Sequence, residues 1–468
     1  MSPEESARGA AHRFVPAALL VGLALLATPL ALNEPDTLSR LAIGRQIVQR
    51  GLGARVDERG YGAASDARWS NPEWLGDLLL FGVERAGGER ALGLFAIAVV
   101  ALGLLSLLRA ATLRGADPWI LVALLAVMLP AIAGRLAPRN EMHLYWLAGA
   151  TMWLLARGGR RSIVACGALA ALWANLHSSF VLGLLLVVVF ALDPRAPREA
   201  RRRLWLLAVA HPLLWMVSPF GVYVTLQLWR HVAGASTLRA ALVEWQPAWR
   251  TPLTLPALAL LSVAALLCWL HGEPRRRPWA AALLSLLLVA AALASRRLLV
   301  LTTIAAALLA APLGALLAAR ARTLCVVVAL LGSVPLLALG RGAIRPPLAR
   351  QQAAPPPLVL EALRPSEAHV FAPYNSGPWF LWYCPRVKLY ADPRNARGVA
   401  PLRAYQRLLR EPKRIDASKT EVVVVDTGLP TWGALQRYLQ ASARWRRRMV
   451  TGRWTVFAAV GETRYRGR

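Results

Sequence analysis

The stretch NEPDTLSRLAIGR, residues 33–45, organises the chain, because it directly follows the first apolar segment, residues 14–32. That segment is long enough to cross a bilayer, so the stretch is expected at a membrane surface. It carries two carboxylates, Glu34 and Asp36, and Pro35 between them stiffens the backbone. A close acidic pair at this position suits divalent metal binding or proton abstraction near a lipid-borne substrate.

The same residues also allow a structural interpretation. Asp36 or Thr37 can be the N-cap of an amphipathic helix predicted from about residue 36 to residue 51. One of the acids can cap this helix while its neighbour does chemistry, so both interpretations stay open.

Composition is typical of a polytopic membrane protein. Of the 468 residues, 56% are hydrophobic and 17% are charged, and the mean hydropathy is +0.43. These values are not those of a large soluble core. The net charge of +30 does not indicate nucleic-acid binding, because the basic residues cluster in short loops between apolar segments. The four cysteines have no spacing typical of a zinc site or a disulfide framework.

Eleven apolar segments predict about eleven transmembrane helices. They cover residues 14–32, 90–108, 118–133, 142–156, 162–175, 178–192, 203–217, 253–271, 279–294, 298–318 and 323–340. The polar break at 175–179 leaves open whether two of them form one broken helix. The heaviest basic clusters fall on alternate loops, which predicts a cytoplasmic N-terminus and an outward-facing C-terminal region. Residues 74–86 predict an interfacial helix with Asp77 and Glu84 on its polar face.

The composition changes after residue 340. Residues 1–340 are predicted to form a transmembrane domain with an outer loop at 33–73, residues 341–365 a Pro-rich linker, and residues 366–468 a small extracytoplasmic α/β domain. Within that domain the patterns predict strands or extended segments at 369–372, 380–383, 387–390 and 421–426, helices at 402–409 and 435–439, and a hairpin at 447–460. No Gly-rich phosphate loop follows these strands, so nucleotide binding is not expected.

Several polar residues lie where apolar segments end on the predicted outer side. Arg296 and Arg297 occupy a tight turn, where they either snorkel to the interface or bind the phosphate of a lipid carrier. Asn175 and His177 form a polar pair at membrane depth, which makes them functional candidates. The alternative is a helix-ending asparagine beside a histidine that bonds to the neighbouring backbone. His143 is a further candidate because it lies close to Arg139 in the sequence.

Several short motifs together resemble bacterial polytopic membrane proteins related to the GT-C glycosyltransferases. Such proteins carry an Asp-Pro-Asp-Thr stretch after the first span, which here is Glu34–Thr37, followed by Gly44 and Arg45. The chain departs from that pattern at Leu38, Ser39 and Arg40, where such relatives have two tryptophans and a histidine. Further similar stretches are NPEWL at 71–75, WANLH at 173–177, SPFG at 218–221, EWQ at 244–246, YNSG at 374–377 and YADPR at 390–394.

The resemblance implies a GT-C-like fold and an inverting glycosyltransferase of the bacterial inner membrane. Such an enzyme moves a hexosyl or pentosyl group from a polyprenyl-phosphate donor to an envelope glycan, lipid or protein on the outer face. By that analogy Asp36, or Glu34, is the catalytic base. A divalent cation, Mg²⁺ or Mn²⁺, held by these two acids would compensate the phosphate charge.

The resemblance also implies further contacts of the substrate. The candidate partners of the phosphate are Arg40, Arg139, Arg296 and Arg297, since a guanidinium fork matches phosphate geometry. Glu73 and Trp74 are candidate substrate contacts. Tryptophans at 69, 74, 245 and 249 either stack on sugar rings or belong to an interfacial belt.

Two functions from other classes stay open. The first is a non-catalytic membrane scaffold that keeps the fold without the site. The second is a transporter, which is less favoured because the sequence has no internal repeat and no matched pair of broken helices. In each case the bilayer is a partner and nucleic acid is not.

Overall fold

The computed structural model describes residues 3–29, 34–52, 60–61, 71–226, 229, 245–250, 254–271, 279–317, 321–340, 354–393 and 400–461. Its α-helices are α1 (Pro3–Ala27), α2 (Pro35–Arg50), α3 (Trp74–Leu113), α4 (Pro118–Ile132), α5 (His143–Arg157), α6 (Gly159–Leu176), α7 (Val181–Ala191), α8 (Arg198–Trp215), α9 (Thr254–His271), α10 (Trp279–Ala294), α11 (Thr302–Leu316), α12 (Ala321–Gly340), α13 (Pro357–Leu363), α14 (Gly377–Tyr383), α15 (Ala400–Arg410) and α16 (Gly433–Ala441). The strands are β1 (His369–Phe371), β2 (Lys388–Leu389), β3 (Val422–Asp426), β4 (Trp445–Thr451) and β5 (Trp454–Ala459).

The chain divides into two compact units. The helical unit comprises Met1–Leu32, Ala86–Leu228 and Ala235–Pro346, and the α/β unit comprises Asn33–Arg85, Trp229–Gly234 and Pro347–Arg468. The boundary between Arg85 and Ala86 lies beside an interruption of helical geometry inside α3. There Gly88 has φ +66°, a backbone conformation that glycine adopts without a steric penalty. The two parts of α3 correspond to the predicted helix at 74–86 and the predicted span at 90–108.

Apolar helices dominate the helical unit. Among the residues that the structure describes, four helical stretches are long and apolar enough to cross a membrane, namely Trp74–Leu113, Pro118–Arg135, Thr254–His271 and Arg296–Leu316. Shorter apolar helices are Phe14–Ala27, Ser178–Ala191, Trp279–Ala294 and Thr323–Pro335. The predicted class, a helical membrane protein, is therefore confirmed. The predicted number of about eleven crossings is not confirmed, and the orientation of the termini stays a prediction.

The segment from 162 to 192 forms two helices. Helix α6 ends at Leu176, and His177 has extended backbone with φ −157° and ψ 142°. A single 3-10 turn, Ser178–Phe180, then leads into α7. The polar break noted in the sequence is therefore the end of one helix and the beginning of another.

The α/β unit contains a five-stranded sheet with strand order β2-β1-β3-β5-β4. Strands β2, β1 and β3 are parallel, whereas β5 pairs antiparallel with both β3 and β4. The central strand β3 is buried throughout, which explains its uninterrupted run of valines. The predicted strands at 369–372, 387–390 and 421–426, the two predicted helices and the closing hairpin are all confirmed.

The prediction of an extended segment at 380–383 is wrong, because these residues lie in helix α14. The helix begins at Gly377 with Pro378 in its first turn, a position that suits the fixed φ of proline. Phe380, Leu381 and Cys384 then fall on one side and enter the apolar core. The segment is rich in aromatic residues, which favour strands locally, but packing against the core decides its conformation.

The segment after the first apolar helix is part of the α/β unit. Ala42 of α2 belongs to the same core as the sheet, and the Arg45 guanidinium donates to the Leu381 carbonyl at 2.9 Å and lies over the Trp382 ring at 4.6 Å. Further along, the Tyr61 amide donates to the Leu389 carbonyl at 3.1 Å. Residues 33–85 therefore share one folded unit with the C-terminal tail, a grouping that the sequence-based domain boundaries do not contain.

Candidate functional site

Helix α2 positions the acidic pair of the α/β unit. Glu34 occupies the N-cap position, Pro35 the first helical position and Asp36 the first turn. The prediction that Asp36 or Thr37 caps the helix is therefore wrong, because the fixed φ of Pro35 already suits the first helical residue. The carboxylate of Asp36 lies close enough to Arg40 to act on it electrostatically.

Arg40 of α2 forms ion pairs with two acids of the α/β unit. Its Nη2 lies 2.6 Å from Glu73 Oε2, and its Nη1 lies 3.4 Å from Asp77 Oδ1. The Asn71 side-chain amide donates to Asp77 Oδ2 at 2.6 Å, and the Glu73 amide donates to Asn71 Oδ1 at 3.2 Å. We call these residues together with Asp36 the acidic cluster.

Burial determines the electrostatics of the acidic cluster. Asp77 is fully buried and Glu73 is 4% exposed. Burial by itself would lower the pKa of the Arg40 guanidinium, but Glu73, Asp77 and Asp36 raise it above its ordinary value. Arg40 is therefore the counter-ion of these carboxylates in the structure, and its predicted contact with a phosphate stays a prediction.

The sequence patterns did not predict Asp77 as a member of this cluster. Its position opposite the leucines of the predicted interfacial helix indicated a solvated face, yet the structure buries it completely. A signal was present, because Glu73 and Asp77 lie one helical turn apart in a chain with only 25 acids. Trp74, the first residue of α3, is partly buried.

The predicted metal site stays a prediction. Among the residues that the structure describes, no group of three or more His, Cys, Asp or Glu side chains is arranged to hold a metal ion. Glu34 and Asp36 are carboxylates of the type that Mg²⁺ and Mn²⁺ prefer, so they are the residues that would hold such an ion.

A second group of charges lies within the helical unit, after α4. Arg135 Nη2 lies 2.8 Å from Glu141 Oε2, and Arg139 Nη2 lies 3.1 Å from the same oxygen. Arg297, at the start of the last long apolar helical stretch, also acts electrostatically on Glu141. We call these four residues the arginine cluster.

The arginine cluster is shielded from solvent. Arg139 is 4% and Glu141 7% exposed. Burial by itself would raise the pKa of Glu141, but Arg135, Arg139 and Arg297 hold that pKa below its ordinary value. Glu141 is therefore a carboxylate that its basic neighbours keep ionised.

The turn at Arg296 and Arg297 is as tight as predicted. Ser295 separates α10 from a 3-10 segment, Arg296–Leu301. The Arg296 amide donates to the Gln246 carbonyl at 2.9 Å, and the Arg297 guanidinium lies 5.5 Å from the centre of the Trp245 ring. Trp249 is exposed, while Trp69 and Glu244 lie outside the described residues.

His143 begins α5, two residues after Glu141. The Trp146 indole N–H donates to His143 Nδ1 at 3.0 Å, and the Phe95 ring meets the imidazole edge-on at 6.3 Å. Because Nδ1 accepts this bond, the neutral imidazole carries its proton on Nε2. His143 is buried beside the arginine cluster.

Asn175 and His177 hold helix ends. The Asn175 side-chain amide donates to the carbonyls of Ala171 and Val217, each at 2.8 Å. The Ser179 amide donates to His177 Nδ1 at 3.3 Å, and the Ser179 hydroxyl lies 2.7 Å from the same nitrogen. These contacts agree with the structural alternative. A substrate contact of either residue stays a prediction.

The fold and the two clusters define a helical membrane protein with an attached α/β unit. No protein-family model and no curated protein sequence matches the chain. Among solved structures, the chain is similar to ArnT from Cupriavidus metallidurans bound to undecaprenyl phosphate, with 16% identity and a TM-score of 0.45 over 96% of this chain and 98% of ArnT. The apo state of ArnT gives 17% identity and a TM-score of 0.43 over 97% and 98% of the two chains.

At these identities and TM-scores the similarity assigns no function to the present chain. The residues that bear on function are therefore those of the acidic cluster and the arginine cluster.

Proposed function

We propose that the chain is a membrane glycosyltransferase that moves a sugar from a polyprenyl-phosphate donor to an envelope glycan, lipid or protein on the outer face of the membrane. The observation that carries the proposal is the arginine cluster. Two guanidinium groups pair with Glu141, and a third, that of Arg297, acts on it electrostatically, within a unit built of apolar helices. Buried charged side chains are costly unless they are paired, so a group of them is a candidate functional site.

The chemistry of the cluster suits a lipid phosphate. Each guanidinium is a planar fork of N–H donors that bonds to oxygen acceptors. A phosphate group supplies such acceptors in a geometry that a guanidinium fork matches, and a polyprenyl chain suits the surrounding apolar helices.

Helix α2 of the α/β unit carries carboxylates that suit the proton transfer of such a reaction. An acceptor hydroxyl attacks the anomeric carbon, the bond from that carbon to the phosphate oxygen breaks, and the hydroxyl proton passes to a carboxylate. Asp36, or Glu34, is the proposed base for that proton. The departing polyprenyl phosphate keeps the electron pair of the broken bond, and arginines stabilise its charge.

A non-catalytic scaffold is the second candidate, and one observation favours it. Arg40 is engaged with Glu73 and Asp77, and such a buried ion pair can serve structure alone. In that case the acidic cluster joins α2 to the start of α3 and has no substrate.

Incubation of the purified full-length protein with a panel of radiolabelled polyprenyl-phosphate sugars tests the proposal. We expect transfer by the unaltered protein and its loss in Asp36→Asn with an unchanged gel-filtration profile. Glu89→Gln is the matched control, because Glu89 is exposed and its substitution removes the same charge. No transfer with any donor would favour the scaffold. Transfer that persists in Asp36→Asn would show that another residue is the base.

A further inference from the structure

Helices α6 and α8 of the helical unit lie side by side in the same direction. The Asn175 side-chain amide, near the end of α6, donates to the Val217 carbonyl just beyond the end of α8 at 2.8 Å. Each helix has 18 residues, so the two helices also begin at about the same level. Halfway along, a Cβ built on Gly167 would meet Leu207 at 3.6 Å, which agrees with parallel packing.

Both helices begin with exposed arginines. On α6 these are Arg160 and Arg161, and on α8 they are Arg198 and Arg202. Within the described residues, no carboxylate forms an ion pair with any of these four. By contrast, Arg195 and Arg203 are matched by Asp193 and Glu199.

Beyond their arginines, α8 exposes a stripe of apolar residues and α6 exposes one large apolar residue. On α8, Arg202 is followed at helical spacing by Leu206, Val209 and Leu213, which are 63%, 76% and 68% exposed. On α6, Arg161 is followed by Val164, which is 67% exposed. Residues three, four and seven positions apart share one side of a helix. The exposed apolar residues therefore lie on the same side of each helix as its arginine.

Aromatic side chains lie close to the arginines at this end of the helices. Trp205, one turn after Arg202, is 43% exposed, and the Arg157 guanidinium at the end of α5 lies 6.0 Å from the Trp153 ring centre. Tryptophan is enriched where the hydrocarbon meets the headgroups. This end of α6 and α8 therefore has the chemistry of a headgroup layer, with hydrocarbon-facing residues beyond it.

From this arrangement we propose that the basic end of α6 and α8 binds a diacyl phospholipid with an anionic headgroup. Arg161 and Arg202 contact the phosphate, and the acyl chains lie along Val164 and along Leu206, Val209 and Leu213. Basic surfaces at the ends of membrane helices attract anionic headgroups, and the exposed apolar residues match hydrocarbon chains in polarity. The lipid at this site is a structural partner and is independent of the proposed sugar transfer.

Titration of the purified full-length protein in detergent with short-chain phosphatidylglycerol tests this inference, with lipid retention followed by native mass spectrometry. Each arginine beside an anionic lipid contributes roughly a fivefold increase in affinity, so the double variant Arg161→Gln/Arg202→Gln is expected to bind about 25-fold more weakly. The double variant Arg446→Gln/Arg448→Gln, which removes two exposed arginines from β4, is expected to bind like the unaltered protein.

Other arms of the titration separate the alternatives. Phosphatidylcholine is expected to bind weakly and equally to all variants, and Arg161→Lys/Arg202→Lys is expected to restore most of the affinity and so to exclude misfolding. Equal phosphatidylglycerol affinity in the Arg161→Gln/Arg202→Gln variant and the unaltered protein would overturn the inference. Equal weakening of phosphatidylglycerol binding in the control variant would also overturn it, and so would full displacement of the lipid by inorganic phosphate. Each of these results would show attraction between charges without a lipid site.

Discussion

Arg40 Nη2 lies 2.6 Å from Glu73 Oε2, so an ion pair that is largely shielded from water joins helix α2 to the residue that precedes α3. The second arm of the guanidinium reaches Asp77, which is fully buried. Within the α/β unit, helix α2 is thus held in place by ion pairs as well as by its apolar contacts.

Replacement of Arg40 by glutamine is expected to destabilise the protein by about 3 kcal/mol, because Asp77 would stay buried without its cation. The measurement is thermal unfolding of the purified protein, followed by tryptophan fluorescence. Arg85→Gln is the control, since Arg85 is exposed in the same unit. Similar unfolding temperatures for the two variants would show that the ion pair contributes little.

A methyl group at Gly44 is expected to cost about 1–3 kcal/mol, which is the usual range for overpacking. A Cβ at this position would lie 2.4 Å from the Asp77 carbonyl oxygen and 2.5 Å from Phe81 Cβ. The comparison is with Gly82→Ala, where no atom lies within 4 Å of the added carbon. That control is expected to be neutral or to stabilise the helix by up to about 1 kcal/mol. Equal effects of the two alanines on urea unfolding would contradict the close approach of α2 and α3.

Stability is expected to depend on pH through Glu141. Its pKa is lower in the folded protein than in the unfolded chain, so its contribution is present above the unfolded value of about 4.3. It is lost as the pH falls below that value and through the lowered pKa. Glu141→Gln is therefore expected to unfold at a lower temperature than the unaltered protein at pH 7, with a difference that shrinks toward pH 3.

The exposed residue Glu89 provides the control for that experiment. Its replacement by glutamine is expected to leave the unfolding temperature nearly unchanged across the same pH range. A constant difference between Glu141→Gln and the unaltered protein at every pH would mean that the ionised carboxylate is not the stabilising species.

Arg297→Ala is expected to weaken the binding of undecaprenyl phosphate at least about tenfold, since a hydrogen bond to a charged group contributes roughly 1.5–3 kcal/mol. The dissociation constant can be followed by tryptophan quenching, because the Arg297 guanidinium lies near Trp245. Arg90→Ala removes an exposed arginine of the same unit and is expected to have no effect. Unchanged affinity in Arg297→Ala would exclude this arginine from the proposed phosphate site.

Local sequence patterns predicted the helices and strands well, but they did not predict which segments pack against one another. The apolar segments are helical, and the buried strand at 422–426 and the closing hairpin are where the sequence placed them. The prediction of an extended segment at 380–383 was wrong, because the packing of these residues into the core outweighs the strand preference of their aromatic side chains. In the candidate site, Asp36, Arg40 and Glu73 were predicted, whereas Asp77 was assigned to solvent.

The sequence by itself determined that this is a helical membrane protein with α/β elements in its tail, because hydrophobic length and period are properties of neighbouring residues. Only the tertiary structure decided that residues 33–85 fold with that tail and that Asp77 is buried against Arg40. It also decided that Arg135 and Arg139 pair with Glu141 and that Arg297 acts on it electrostatically. Such pairings join residues far apart in the chain, and the pattern of apolar and polar residues in one segment contains no information about which distant segment will neutralise its charge.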